Sequence, residues 1–211
     1  PDPANAVLNL NDNYTKLLLH FIGVDESTTI IDDSPYANAV TAINGAKIDS
    51  AQYVFGTTSL YLDGANDYLK ATATAQFNLS NVNFTIETRM RFLAVASGTT
   101  NYIYQQETDA SNYVRLWFNA TTGYLYFKAV SAGVTVADYG YSWGTRGDGT
   151  WYHVGLVRRG TNLYLFIDGA LVNWTANATA VGTNTMPNPG VVADSILIGN
   201  TFKGWLTEFR L

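Results

Sequence analysis

The chain has 211 residues, of which 47% are hydrophobic and only 14% charged, with 17 acidic against 12 basic side chains and a formal net charge of −5. This composition excludes a disordered chain, and it excludes coiled coils and long solvated helices, which need many Glu and Lys. The acidic balance argues against nonspecific nucleic-acid binding and anionic membranes, and the absence of cysteine removes disulfides and thiolate metal sites.

The chain opens PDPANAVLNL, with neither Met nor a basic stretch, which reads as a processed or internal boundary. Residues 1–12 are expected to be an N-terminal extension, and the whole of 1–211 a single domain. No apolar run approaches the ~20 residues needed to span a bilayer, so no membrane insertion is expected.

Ala71–Phe77 is expected to form at most a short turn of helix. In NFTIETRMRF, Phe84, Ile86, Met90 and Phe92 share one face, and Thr85, Glu87, Arg89 and Arg91 share the other. That is the period of a half-buried strand. Turns are expected at Gly98–Asn101 and Asp109–Asn112, with Tyr102 and Tyr104 alternating on the strand between them. YVRLWFN, ATTG and YLYFK read as a hairpin, with Gly123 placed for a positive φ. A loop at Gly144–Thr150 precedes a second hairpin, WYHVGLVRR–GTN–LYLFIDG. TNTMPNPG (183–190) is a loop, because its prolines cannot donate to a ladder. SILIGN and GWLTEFRL close the chain as strands. Roughly a dozen short strands without βαβ alternation predict an all-β, two-sheet antiparallel sandwich. Phe84, Ile86, Phe92, Val114, Leu116, Phe118, Leu125 and Phe127 are its expected core.

Eight segments in order carry a family resemblance: YTKLLLHFIG (14–23), DDS (32–34), FGTTSLYLDGANDYL (55–69), NFTIETRMRF (83–92), WYHVGLVRRG (151–160), LYLFIDG (163–169), ILIGN (196–200) and FKGWLTEFRL (202–211). The chain resembles the laminin-G-like, concanavalin-A-like jelly roll, in the version common in tailed-phage and marine viral structural proteins. The resemblance implies a jelly-roll sandwich but no particular ligand, since this fold hosts enzymes, lectins and structural modules. Two positions depart from the family pattern. The usual HFDG is His20–Phe21–Ile22–Gly23, with an acid only at Asp25, and the usual DEFR is Thr207–Glu208–Phe209–Arg210. Both acidic positions can serve calcium in relatives.

Glucanases of this fold use paired glutamates on one strand. Here the only glutamates are Glu26, Glu87, Glu107 and Glu208, and none are spaced for that pairing. The two histidines, His20 and His153, read as hydrogen-bonding groups within the sandwich. The chain is therefore expected not to be an enzyme.

A calcium ion would want six to eight oxygens, and Asp25, Asp32, Asp63 and Glu208 are the candidate ligands, provided the first and last segments meet. Asp63–Gly64 and Asp168–Gly169 also read as plain turn residues, and for Asp168 that reading is preferred. On the 113–128 hairpin, Tyr113, Arg115, Trp117, Tyr124, Tyr126 and Lys128 share the face opposite the core. They form a candidate carbohydrate-binding surface, with cross-strand packing and a subunit interface as the competing readings. The expected function is a non-catalytic, lectin-like adhesion or display module of a virion, at the virion surface or otherwise extracellular. Its expected partners are a glycan or cell-surface polysaccharide, other virion proteins and a second copy of the chain. The alternatives are a purely structural assembly domain and a carbohydrate-binding module of a larger extracellular protein.

Overall fold

From Phe84 to Phe92 every second side chain is buried and its neighbours are half-exposed, without a break. This alternation places one face of the strand against a core and the other outward. The computed structural model describes residues 13–72, 74–94, 99–146, 149–187 and 196–211, so the expected extension at 1–12 lies outside the described residues.

The strands in chain order are β1 (Leu18–Leu19), β2 (Val40–Ile43), β3 (Lys47–Asp49), β4 (Ser59–Asp63), β5 (Tyr68–Ala71), β6 (Phe84–Phe92), β7 (Thr100–Asp109) and β8 (Asn112–Asn119). They continue with β9 (Tyr124–Ser131), β10 (Val134–Ser142), β11 (Trp151–Arg159), β12 (Asn162–Ile167), β13 (Ala170–Val172), β14 (Ala176–Thr179), β15 (Ile196–Ile198) and β16 (Lys203–Arg210). The expected helical turn is a single 3-10 turn at Ala75–Phe77.

One eight-stranded sheet runs β13-β12-β11-β6-β16-β4-β3, with β1 pairing the end of β16; the other runs β14-β10-β9-β8-β7-β15-β5-β2. The described ladders are antiparallel, including the first strand on the last. This is the two-sheet sandwich the sequence predicts. All eight expected core residues are buried, none more than 8% exposed. Rings from opposite sheets meet between them: Phe92 of β6 lies 5.0 Å from Phe118 of β8, and Phe84 lies 6.5 Å from Phe127 of β9. Gly123 has the expected positive φ, 69°. Asp168 and Gly169 both have φ > 0 in the two-residue turn between β12 and β13, as a twisted hairpin requires.

Two local expectations need correction. Thr100 and Asn101 open β7 instead of ending a turn, while Gly98 lies outside the described residues. Tyr104 does not share a face with Tyr102. A bulge interrupts β7, so that Tyr102 faces Trp117 whereas Tyr104 faces the very next residue, Leu116. The extra residue turns Tyr104 into the core, where it is fully buried and stacks on Phe209 at 6.3 Å. Its hydroxyl donates to Gln106 Oε1 at 3.0 Å, and Gln106 Nε2 donates to the Phe77 carbonyl at 2.9 Å. Burial pushes the phenol pKa upward, since an apolar core disfavours the anion.

Candidate functional site

The outward face of β7–β10 is built by the same alternation that fills the core. On β8, Val114, Leu116 and Phe118 are buried, while Tyr113, Arg115 and Trp117 are half-exposed. On β9, Leu125, Phe127 and Ala129 are buried, while Tyr124, Tyr126 and Lys128 are half-exposed. The hairpin register then sets Trp117 opposite Tyr126 and Arg115 opposite Lys128. All six expected carbohydrate-face residues are therefore on one surface.

Four rings form a continuous ladder across three strands. Tyr102 lies 6.2 Å from Trp117, Trp117 stacks on Tyr126 at 5.2 Å with 24° between planes, and Tyr126 stacks on Tyr124 at 5.6 Å and 20°. The tyrosine rings extend over Gly140 of β10, which pairs with Tyr126. A Cβ on Gly140 would stand 3.1 Å from Tyr126 and 3.2 Å from Tyr124, so the missing side chain is what lets the rings lie flat there.

Charge on this face is balanced internally. Arg115 donates through Nε and Nη2 to Glu107 Oε2, at 2.9 and 2.7 Å, and its guanidinium sits 4.0 Å above the Tyr113 ring. Lys128 Nζ is 3.0 Å from Asp138 Oδ2. The sequence pattern does not mark Glu107, Asp138 and Gly140 as part of this face. Each depends on a cross-strand register that spacing alone does not supply.

The candidate calcium ligands do not come together, as no three of Asp25, Asp32, Asp63 and Glu208 lie within 4.8 Å of one another. Asp32 is buried and accepts five hydrogen bonds, from Leu18 N, Ser34 N and Oγ, and Asn38 N and Nδ2. Those donors occupy both its oxygens and tie the first strand to the loop after it. Asp63 accepts from Ala65 N at 2.7 Å, as a turn aspartate does. Glu208 sits at a bulge in β16 with φ 53° and meets His20 Nδ1 at 2.7 Å. Both oxygens of Asp32, and one oxygen each of Asp25, Asp63 and Glu208, are engaged in hydrogen bonds within the protein.

Asp25 instead neighbours Glu26 and Asp49. Asp25 accepts from Ser50 N, Glu26 from Lys47 Nζ, and Asp49 from Ala51 N and Trp205 Nε1. The Glu26 bond pushes the Lys47 pKa upward.

Each of the four glutamates has a different cationic or imidazole partner: Glu26 with Lys47, Glu87 with Arg210 and His153, Glu107 with Arg115, and Glu208 with His20. His20 hydrogen-bonds to Glu208 as expected, whereas the half-exposed His153 ring meets Glu87 at 3.4 Å in an ion-pair contact. Among the described residues, no helix is long and apolar enough to cross a membrane.

A family profile described as the concanavalin A-like lectin/glucanases superfamily matches residues 62–211. No curated protein matches the sequence. Solved structures similar in fold include the binding domain of Paraclostridial Mosquitocidal Protein 1, with TM-score 0.69, 18% identity, and coverage of 95% of this chain and 49% of that one. The Botulinum neurotoxin serotype D binding domain gives 0.67, 13%, 94% and 47%. Domain 4 of AbnA, an extracellular arabinanase from Geobacillus stearothermophilus solved in complex with arabinotriose, gives 0.64, 14%, 93% and 90%. The chain thus spans about half the length of the toxin binding domains it matches, and nearly all of the arabinanase domain.

Proposed function

The chain belongs to the concanavalin A-like lectin/glucanase superfamily, and from that premise we propose that it is a non-catalytic, lectin-like module that binds neutral glycans on the outward face of β7–β9. The observation that carries this reading is the half-exposed ladder Tyr102–Trp117–Tyr126–Tyr124. Aromatic faces offer apolar contact and a negative quadrupole to the C–H face of a pyranose. The flanking Arg115–Glu107 and Lys128–Asp138 pairs present donors and acceptors side by side for hydroxyls. Because each cation is already neutralised, the face favours an uncharged sugar over an acidic one. The arabinotriose on the similar arabinanase domain is a neutral sugar of this kind.

Open faces of this type bind one sugar weakly, so adhesion requires several copies acting together. A virion surface, or another extracellular assembly carrying many copies, is the setting that supplies them, with other virion proteins as neighbours. The test is a multivalent form of the protein on an array of neutral glycans, run beside Trp117→Ala. Binding by the parent and its loss in the variant, with assembly state unchanged, supports the reading. A variant that fails to assemble makes the face a subunit interface. A parent that binds no glycan in multivalent form removes the lectin function.

A further inference from the structure

A second candidate site lies away from the aromatic ladder. Where β6 begins and β11 and β16 end, a groove of about 960 Å³ is also lined by residues 14–16 and 75–79. That volume is within the range of small-ligand sites. Lys16, Arg158, Arg159 and Arg210 line it, four of the chain's 12 basic residues, and its described lining holds no Asp or Glu. A cationic groove on an acidic protein runs against the overall composition.

Two of those cations are already answered. Arg210 pairs with Glu87, and Lys16 donates to the Tyr36 hydroxyl at 2.6 Å and lies over its ring. The other two are not. Arg159 is exposed, and no described residue pairs with it. Arg158 is only 3% exposed and meets no carboxylate among the described residues. Its three nitrogens are held by carbonyls alone: Nε by Gly160 at 3.3 Å, Nη1 by Ser80 at 3.1 Å and Nη2 by Asn184 at 3.0 Å. A guanidinium has five N–H donors, and the described residues answer three of them, one on each nitrogen. An unpaired buried charge is costly, and a docked anion would offset that cost. Burial also pushes the Arg158 pKa downward, in keeping with a site that lacks a counter-charge.

The neighbouring amides are fixed through their oxygens. Asn78 Oδ1 accepts from Ser80 N at 2.8 Å, and Asn83 Oδ1 accepts from Gly160 N at 2.7 Å. Among the described residues no acceptor is bonded to either NH2, a donor suited to hydroxyl or ring oxygens.

We propose that this groove binds a carboxylate-bearing sugar, such as a uronate unit of an acidic polysaccharide, with the carboxylate on Arg158 and Arg159 and the hydroxyls on Asn78 and Asn83. A carboxylate matches the paired donors of a guanidinium, and polar amides beside it suit a polyol better than an apolar side chain. This proposal rests on the glycan-binding reading and extends it from neutral to acidic sugars at a separate place.

The test titrates the full chain with tri-galacturonate, the neutral galactotriose and the peptide Glu-Glu-Glu. Binding is followed by calorimetry and by the arginine Nε–Hε resonances. Tri-galacturonate is expected to bind, to weaken with salt and to shift the Arg158 resonance. Arg159→Gln, an exposed change that leaves the core untouched, is expected to lose about tenfold in affinity, the worth of one charge-assisted hydrogen bond. Trp117→Ala is expected to leave this binding intact. Three results overturn the proposal: no tri-galacturonate binding, equal binding by Glu-Glu-Glu, or loss with Trp117→Ala but not with Arg159→Gln. The last result still supports the glycan face, so the two readings fail separately.

Discussion

Phe118 and Trp117 are neighbours on β8, yet replacing each by alanine should have opposite consequences. Phe118 is fully buried, with its ring 5.0 Å from Phe92 and 6.0 Å from Trp143 in an edge contact. Its truncation removes transfer energy and leaves a cavity between two sheets that cannot close on it, at a cost of ~3–5 kcal/mol. For a domain of this size each kcal/mol lowers Tm by about 2–4 °C, so the melting point should drop by roughly 6–20 °C. Trp117 is half-exposed, and its truncation removes two ring contacts, to Tyr102 and Tyr126. Cross-strand pairs contribute ~0.2–1 kcal/mol each, which predicts a fall of only a few degrees. Glycan binding should follow the reverse order: Trp117→Ala loses it, and Phe118→Ala keeps it at temperatures well below its own Tm. Calorimetric melting and a binding assay on the same two samples decide the matter. Equal melting losses would show that the register of this hairpin is not the one described. Full binding by Trp117→Ala would refute the stacking platform.

Gly140→Ala should leave Tm within about 4 °C of the parent, because relief of glycine's backbone cost offsets the crowding. It should nevertheless weaken glycan binding by lifting the Tyr124 and Tyr126 rings, and unchanged binding would count against the ladder. Tyr104→Phe should cost ~1–3 kcal/mol by orphaning Gln106 Oε1 in the core, measured by denaturant unfolding, whereas Tyr102→Phe should cost far less. Asp32→Asn should cost at least ~2 kcal/mol, since an amide NH2 would face donors that now meet a carboxylate. That loss should be the same in calcium and in EDTA, and a calcium-dependent difference would show that Asp32 serves a metal.

Period-two alternation was enough to identify β6, the β8–β9 hairpin and their buried faces, because a side chain's face on a regular strand depends only on parity. Parity fails where a residue is inserted. The bulge in β7 leaves no compositional mark, and it carried Tyr104 from the expected outer face into the core. The six face residues were legible for the same reason of parity, but their pairing was not. Glu107 meets Arg115 through the β7–β8 register, and Asp138 meets Lys128 through β9–β10. The cationic groove was less legible still, since Lys16 meets Arg210 through the pairing of the first strand with the last, and Arg158 joins them through the β11–β6–β16 ladder. Asp32 reads as a candidate metal ligand in the sequence because a carboxylate near a loop has two uses, and the five hydrogen bonds it accepts, from residues 18, 34 and 38, are not visible in spacing alone.

The strict alternation on β8 and β9 also bears on how this surface can change over generations. The residues that fill the core and those that face outward occupy interleaved positions on the same strands and point to opposite sides of the sheet. Substitutions that do not share contacts have nearly additive effects. The positions of Tyr113, Trp117, Tyr124 and Tyr126 can therefore be randomised as a set while Val114, Leu116, Phe118, Leu125 and Phe127 stay fixed. Most members of such a library should stay folded, with Tm lowered by a few degrees where the ring contacts among Tyr102, Trp117, Tyr126 and Tyr124 are lost, so that selection acts mainly on ligand preference. The hairpin is in this sense a writable surface, able to acquire a new glycan specificity without passing through unfolded intermediates.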